Sequence, residues 1–342
     1  MRVLDPDLRI VAGTPALPKT TDATVLSPDN RRFASWSFYG KRLTIRSRRT
    51  FRALRTLPIE RGTDVFWPTR ERLLTVDYAP GSKRPNVIRS FNLARGTSRT
   101  VRLRDLPQYI QLHGRTLRVL TVRGPDLCCP NGPFVLTDIG PAGVVKRRWR
   151  VPLPDGFEVS DDSDHGVAVR PNGNLLFVTN GDRHALIKIH SAETKLLTGL
   201  ADGYYDWVGR NILYETFGGH AARIDRRAMT VTGTADTGFT REDATPFADG
   251  FIVGFGLARY DGELRRVAAN PTPPDTEGFG RTVAHGRIYD LLTPDCDGPA
   301  RAGAVIADGN TGRPIATRPG SWKFGVLGSG YLKSTAAEDI CD

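Results

Sequence analysis

Short apolar runs recur along this chain, each closed by a polar turn. Between Ser27 and Leu57 the runs are Phe33–Trp36, Leu43–Ile45 and Ala53–Leu57, with a Pro28-Asp29-Asn30 turn ahead of them. Short runs bounded by turn-forming residues predict strands, and this spacing predicts a small antiparallel sheet. A 3.6-residue period is absent almost everywhere, so no long helix is expected.

The same pattern returns. Val167–Leu200 is the clearest second copy: Pro171-Asn172-Gly173 matches Pro28-Asp29-Asn30 at an offset of 143. Leu43-Thr44-Ile45 then matches Ile187-Lys188-Ile189 at an offset of 144. Seven first-hairpin turns can be read, marked by Asn30, Arg70, Gly114, Gly173, Gly209, Gly250 and Gly286. The steps between them are 40, 44, 59, 36, 41 and 36 residues. Gly and Asn suit such turns because they tolerate positive φ. Third strands are expected at Leu43–Ile45, Val87–Ile88, Phe134–Leu136, Ile187–Ile189, Ala222–Ile224, Leu264–Val267 and Ala304–Ile306.

Four-stranded units of about 40–45 residues have the period of a propeller blade. One such sheet cannot bury both faces alone, whereas stacked blades can. The expected fold is all-β: a seven-bladed β-propeller of four-stranded antiparallel blades forming a single domain, 1–342. The expected blades are 23–60, 61–104, 105–153, 159–200, 204–238, 244–270 and 281–319, with 320–342 as closing strand and tail. Leu8–Ala12 is expected to pair near Gly325–Leu332 and close the last blade. The Ser27-Pro28-Asp29 and Arg170-Pro171-Asn172-Gly173 turns resemble the repeats of bacterial TolB-like and WD40-like propellers. That resemblance implies a fold and not an activity. The Trp-Asp and Gly-His signatures of true WD40 repeats are largely missing.

Charge adds one feature. The chain of 342 residues carries 48 basic and 37 acidic residues, a formal charge of +11, and 40 of the basic residues are arginine. Ser27–Leu57 holds nine of them (Arg31, Arg32, Lys41, Arg42, Arg46, Arg48, Arg49, Arg52 and Arg55) against Asp29 alone. Blade 1 could therefore attract a nucleic acid or other polyanion, although a solvated surface is the commoner meaning of such a run. No aromatic residues interleave with the charges as single-stranded nucleic acid would want. No run of about 18 apolar residues predicts a membrane span. Met1–Thr20 lacks the apolar core of a signal peptide. That points to the cytoplasm, or to an extracytoplasmic place if the chain has been trimmed.

The four cysteines are Cys128, Cys129, Cys296 and Cys341, and their spacing fits no zinc finger or ribbon. A Cys296–Cys341 disulfide could pin the C-terminal tail. Adjacent Cys128 and Cys129 cannot easily pair with each other.

Candidate chemistry gathers where loops converge. Blade-to-blade connections and second-to-third-strand loops share one face, the top, where propeller ligand sites usually lie. His113 and His285 fall in His-Gly-Arg turns on the other face, and His190 ends a third strand. His165, His184 and His220 remain on the top, with His165 beginning an innermost strand and the other two read as loop residues. Asp162, Asp164 and Asp182 lie nearby, and Tyr205, Asp206 and Trp207 start blade 5. Carboxylates with imidazoles could bind a divalent metal or serve as general acid and base, with His165, His184, His220 and Asp206 as catalytic candidates. Asp162, Asp164, Asp182, Tyr205 and Trp207 would line a ligand site. No HExxH, GxSxG or EF-hand pattern is present. Three readings stay open: a scaffold binding a protein or small ligand at its top face, a hydrolase or lyase, and a polyanion binder acting through blade 1.

Overall fold

The computed structural model describes residues 2–4, 7–9, 23–37, 39–77, 86–103, 106–122, 134–154, 157, 165–170, 174–180, 182–191, 193–215, 217–239, 244–253, 258–268, 278–284, 286–292, 303–309, 311, 313–319, 323–326 and 332–335. It is a seven-bladed β-propeller. Seven four-stranded antiparallel sheets follow one another, each built from four consecutive strands. First strand to last, they span 23–58, 63–102, 106–151, 165–197, 205–236, 245–268 and 278–319. Among the described residues there is no helix, so none is long and apolar enough to cross a membrane.

Six of the seven predicted hairpin turns fall at the junction of a first and a second strand, and Pro171-Asn172-Gly173 lies outside the described residues. Asn30, Gly114 and Gly286 take positive φ there, and so does Ala248 at 53°. In blade 6 the third strand is Ala258–Tyr260, while Leu264–Val267 overlaps the fourth strand, Arg266–Ala268. Apolar content misled the reading there: Leu264 is a buried turn residue at φ 63°, bonded from its N–H to the Asp261 carbonyl.

Arg2–Leu4 pairs with Leu332–Thr335, whereas residues 10–12 of the strand expected at Leu8–Ala12 lie outside the described residues. Leu332–Thr335 pairs in turn with Lys323–Val326, giving a separate three-stranded sheet. Each four-stranded blade is already complete from its own consecutive strands, so none needs a strand from the N-terminus. Lys323–Val326 lies against the innermost strands of both blade 7 and blade 1.

Contacts divide the chain into two compact units. The first comprises Met1–Arg61, Ile252–Arg259 and Arg266–Asp342; the second comprises Gly62–Phe251 and Tyr260–Arg265. In the first unit, Asp7 forms an ion pair with Arg287, and its carbonyl accepts a hydrogen bond from Arg318 Nε at 3.1 Å. The N-terminal segment is thereby tied to blade 7.

The second unit shows how blades stack. Alternate residues of each strand point to opposite faces, so every blade has an apolar side for each neighbour. Leu74, Val76 and Ile88 of blade 2 meet Leu117, Val119 and Ile139 of blade 3. Leu120 and Leu136 of blade 3 meet Leu176, Val178 and Ile187 of blade 4. Phe177 and Leu186 of blade 4 meet Trp207, Leu213 and Ile224 of blade 5. Polar ties stitch the same seams. Ser90 Oγ donates to the Pro141 carbonyl at 2.6 Å, Trp149 Nε1 to Ile189 at 3.0 Å and Trp207 Nε1 to Ala168 at 3.2 Å. Arg170, fully buried, reaches from blade 4 to the Arg210 carbonyl and the Asn211 side chain of blade 5.

Candidate functional site

The predicted histidines belong to strands and stand at one end of their blades. His165 starts the first strand of blade 4 and pairs with Asn180, which pairs with Arg183. His184 is the second residue of the third strand, Arg183–Lys188, and not a loop residue. His220 starts the third strand of blade 5, His220–Asp225, pairing with Glu215, which pairs with Tyr205. Both loop assignments fail for one reason: the ladder resumes sooner than expected, Asn180 pairing with Arg183 and Glu215 with His220.

His184 is only 2% exposed and both its ring nitrogens are engaged. Nε2 lies 3.0 Å from the Ala201 carbonyl, which can only accept, so Nε2 carries the proton. Nδ1 therefore accepts from the Thr179 hydroxyl at 2.9 Å. The ring also stacks on Phe177, with centroids 5.7 Å apart, and meets the edge of Tyr205 at 5.6 Å. The lone pair that a general base or metal ligand would need is already used. His184 braces the third strand of blade 4 against the connection into blade 5.

Burial lowers the His184 pKa, against the opposing pull of the Ala201 carbonyl, Asp202 and Asp182. The folded value then lies below that of the unfolded chain, which takes up a proton first as pH falls. This residue's contribution is complete above its ordinary value of about 6.5 and is lost as pH drops through the depressed folded value. Urea midpoints are expected to fall between about pH 7 and about pH 5, and the fall is expected to flatten in His184→Gln. Parallel curves for the two proteins would refute that assignment.

Tyr205 and Trp207 are also buried in the blade 4–blade 5 seam. The Tyr205 hydroxyl donates to the same Ala201 carbonyl at 3.2 Å, and burial pushes its pKa up to about 12. Asp206 is exposed, and its Oδ1 accepts from the Trp207 N–H at 2.7 Å. It also reaches electrostatically to Tyr109, in the first strand of blade 3. There burial first, and Asp206 second, raise the phenol. Tyr109 was not among the predicted residues, because only the packing of first strands brings it near Asp206. Asp182 is an exposed turn residue. Asp162, Asp164, the His165 side chain, Cys128, Cys129, Cys296 and Cys341 lie outside the described residues. Among the described residues no three His, Cys, Asp or Glu side chains form a group that could hold a metal ion.

Sequence reasoning missed Glu215. It ends the second strand of blade 5 and is 1% exposed. Its carboxylate turns into the following loop: Oε1 accepts from the Phe217 N–H at 2.9 Å, and Oε2 accepts from Gly218 N–H. The Gly219 N–H bonds to the Glu215 carbonyl at 3.0 Å. Gly203 lets this carboxylate in. A Cβ there would stand 2.6 Å from Glu215 Cγ, and its φ of +146° disfavours other residues. A lone acid ahead of Phe217-Gly218-Gly219 was the signal available in the sequence.

The braced loop presents aromatic surface. Phe217 is 62% exposed and meets the Tyr204 ring edge-on, with centroids 6.2 Å apart. His220 lies beside the same loop: a Cβ on Gly218 would come within 2.9 Å of its Cδ2 and 2.6 Å of Glu215 Oε2.

Blade 1 spends part of its charge internally. Arg46 donates to Ser35 Oγ at 3.2 Å and to the Phe51 carbonyl at 3.2 Å, and Arg48 donates to the Asn30 carbonyl at 3.3 Å.

No family model and no curated protein matches this chain. Solved structures match at the level of fold, and they are propellers. A crystal structure of a eukaryotic initiation factor is similar at 12% identity and a TM-score of 0.56, covering 92% of this chain and 91% of that one. The β-propeller domain of Cps50 (Swd1) from Myceliophteria thermophila is similar at 12% identity and a TM-score of 0.50, covering 93% and 97%. Dipeptidyl peptidase 4 of Porphyromonas gingivalis reaches 0.57 at 10% identity, over 89% of this chain and 54% of that one. At these identities the likeness is one of architecture, in keeping with the WD40-like resemblance of the repeats.

Proposed function

We propose that this propeller is a binding scaffold that takes a protein partner on the top of blade 5, with Phe217 and Tyr204 as the anchor. One observation carries the reading: an exposed Phe217, with half-buried Tyr204 against its ring, stands on a backbone held from beneath by the buried Glu215 carboxylate. Exposed aromatics on a fixed backbone are the usual energetic centre of a protein interface, because little freedom is lost on docking. The engagement of both His184 nitrogens and both Glu215 oxygens favours this reading over a hydrolase or lyase. Those groups serve the scaffold.

The test compares wild type with Phe217→Ala as baits, using quantitative recovery of bound proteins and then titration with the purified partner. Loss of a central anchor is expected to weaken binding by about 30-fold, equivalent to about 2 kcal/mol. A partner held equally by both baits would place the binding surface elsewhere.

A further inference from the structure

The fourth strands of blades 2 and 3 concentrate positive charge. Neither Thr97–Arg102 nor Val145–Val151 contains an acidic residue, and together they carry Arg99, Arg102, Lys146, Arg147, Arg148 and Arg150, all exposed. The charge is local: the fourth strand of blade 5, Thr230–Asp236, has no basic residue and ends in an aspartate. A bias toward arginine in the whole chain does not account for such a contrast within one unit.

Register shows where these side chains point. Arg99 pairs with Ser90, which pairs with Leu74, one of the blade 2 residues packed on blade 3. Residues paired across strands share a face, so Arg99 faces blade 3. A Cβ on Gly143, in the last turn of blade 3, would lie 3.7 Å from Arg99 Cβ. Arg148 pairs with Thr137 and then Val119, which packs on blade 2, and Arg150 lies two residues further along the same face. Arg99, Arg148 and Arg150 therefore look into one seam, with Val101 packed at its base.

Among the described residues, the aspartates of these two blades are placed away from Arg99, Arg148 and Arg150. Asp138 is on the opposite face of blade 3, held by Arg118 at 2.8 and 3.0 Å. Asp77 is on the opposite face of blade 2, with Arg89 at 3.2 Å. Asp64 is in the first strand, three strands inward and so about 14 Å away.

We propose that this seam binds a single nucleic-acid strand through its phosphate backbone. Arg99 on one side of a seam and Arg148 with Arg150 on the other suit a chain-like polyanion. A lipid surface would instead need cations arrayed around an apolar tip. Guanidinium groups suit phosphate oxygens in particular, because their planar donors can bind two at once. Base stacking has no platform there. Trp149, the aromatic residue of the strand, is turned to blade 4 by its bond to Ile189 and lies against Arg147 and Arg118. Binding is thus tolerant of sequence and strongly dependent on salt.

The experiment titrates fluorescein-labelled oligo-dT of about 20 nucleotides over a range of salt, reading anisotropy. Removing three phosphate contacts in Arg99→Gln/Arg148→Gln/Arg150→Gln is expected to weaken low-salt binding at least tenfold. It is also expected to reduce the slope of log K against log salt by about 2. Arg49→Gln/Arg52→Gln/Arg55→Gln in blade 1 is expected to stay within about twofold of wild type. Photo-crosslinking of wild type to a thio-substituted strand is expected to label peptides covering 97–102 and 145–151, which holds the test independent of how the variant folds. The proposal is overturned by absence of binding, by equal binding of the seam variant, or by loss in the blade 1 variant. Binding to phosphatidylserine vesicles that Val144→Ser/Val145→Ser abolishes, without oligonucleotide binding, would also overturn it.

Discussion

Trp207→Ala is expected to destabilise the protein by about 4 kcal/mol, the cost of emptying a large aromatic site in a packed core. Trp207 is 5% exposed and sits among Ala168, Phe177, Leu186, Leu213 and Ile224, residues of blades 4 and 5. Its loss leaves a void in the seam and deprives the Ala168 carbonyl of the indole N–H at 3.2 Å. Trp207→Phe separates the two effects. It keeps much of the volume, loses the hydrogen bond, and is expected to cost about 1.5 kcal/mol. The measurement is the urea midpoint at constant slope. An alanine variant with an unchanged midpoint would mean that the seam does not hold blades 4 and 5 together.

Glu215→Ala is expected to cost about 3 kcal/mol, because a carboxylate making two charge-assisted hydrogen bonds contributes more than a neutral group would. The Phe217 and Gly218 N–H groups lose their acceptor. Faster hydrogen exchange at those two amides, beyond that elsewhere in blade 5, is the expected signature. Glu215→Gln is expected to recover only part of the loss, since its amide can accept from one N–H but turns a donor toward the other. Uniform exchange rates across the variants would show that the loop holds itself. The same variants bear on the binding proposal, because a loosened loop raises the entropy cost of docking Phe217.

Much of the fold was legible in the sequence. Pro28-Asp29-Asn30, His113-Gly114-Arg115 and Ala248-Asp249-Gly250 mark first hairpins because turn chemistry is written in adjacent residues. Blade 6 shows the limit: Leu264 is buried as a strand residue would be, yet belongs to a turn. The N-terminus shows another, since pairing of Arg2–Leu4 with Leu332–Thr335 joins segments more than 300 residues apart, and nothing local specifies it.

The site was less legible. His184, Tyr205 and Trp207 were chosen by chemical type, and all three proved to be buried parts of one seam. Their polar atoms are used by Ala201, Thr179 and Ala168. Glu215 went unnoticed because a single acid in a sequence of 37 acidic residues is indistinguishable from a solvated one.

By itself, the order of residues determined the repeating sheet, the number of four-stranded blades and the places of their hairpins, since alternation and turns depend on near neighbours. The tertiary structure alone decided which side chains are spent on holding blades together and which are left facing outward. That difference depends on partners such as the Ala201 carbonyl and the Gly203 gap, which come within reach only when the sheets stack.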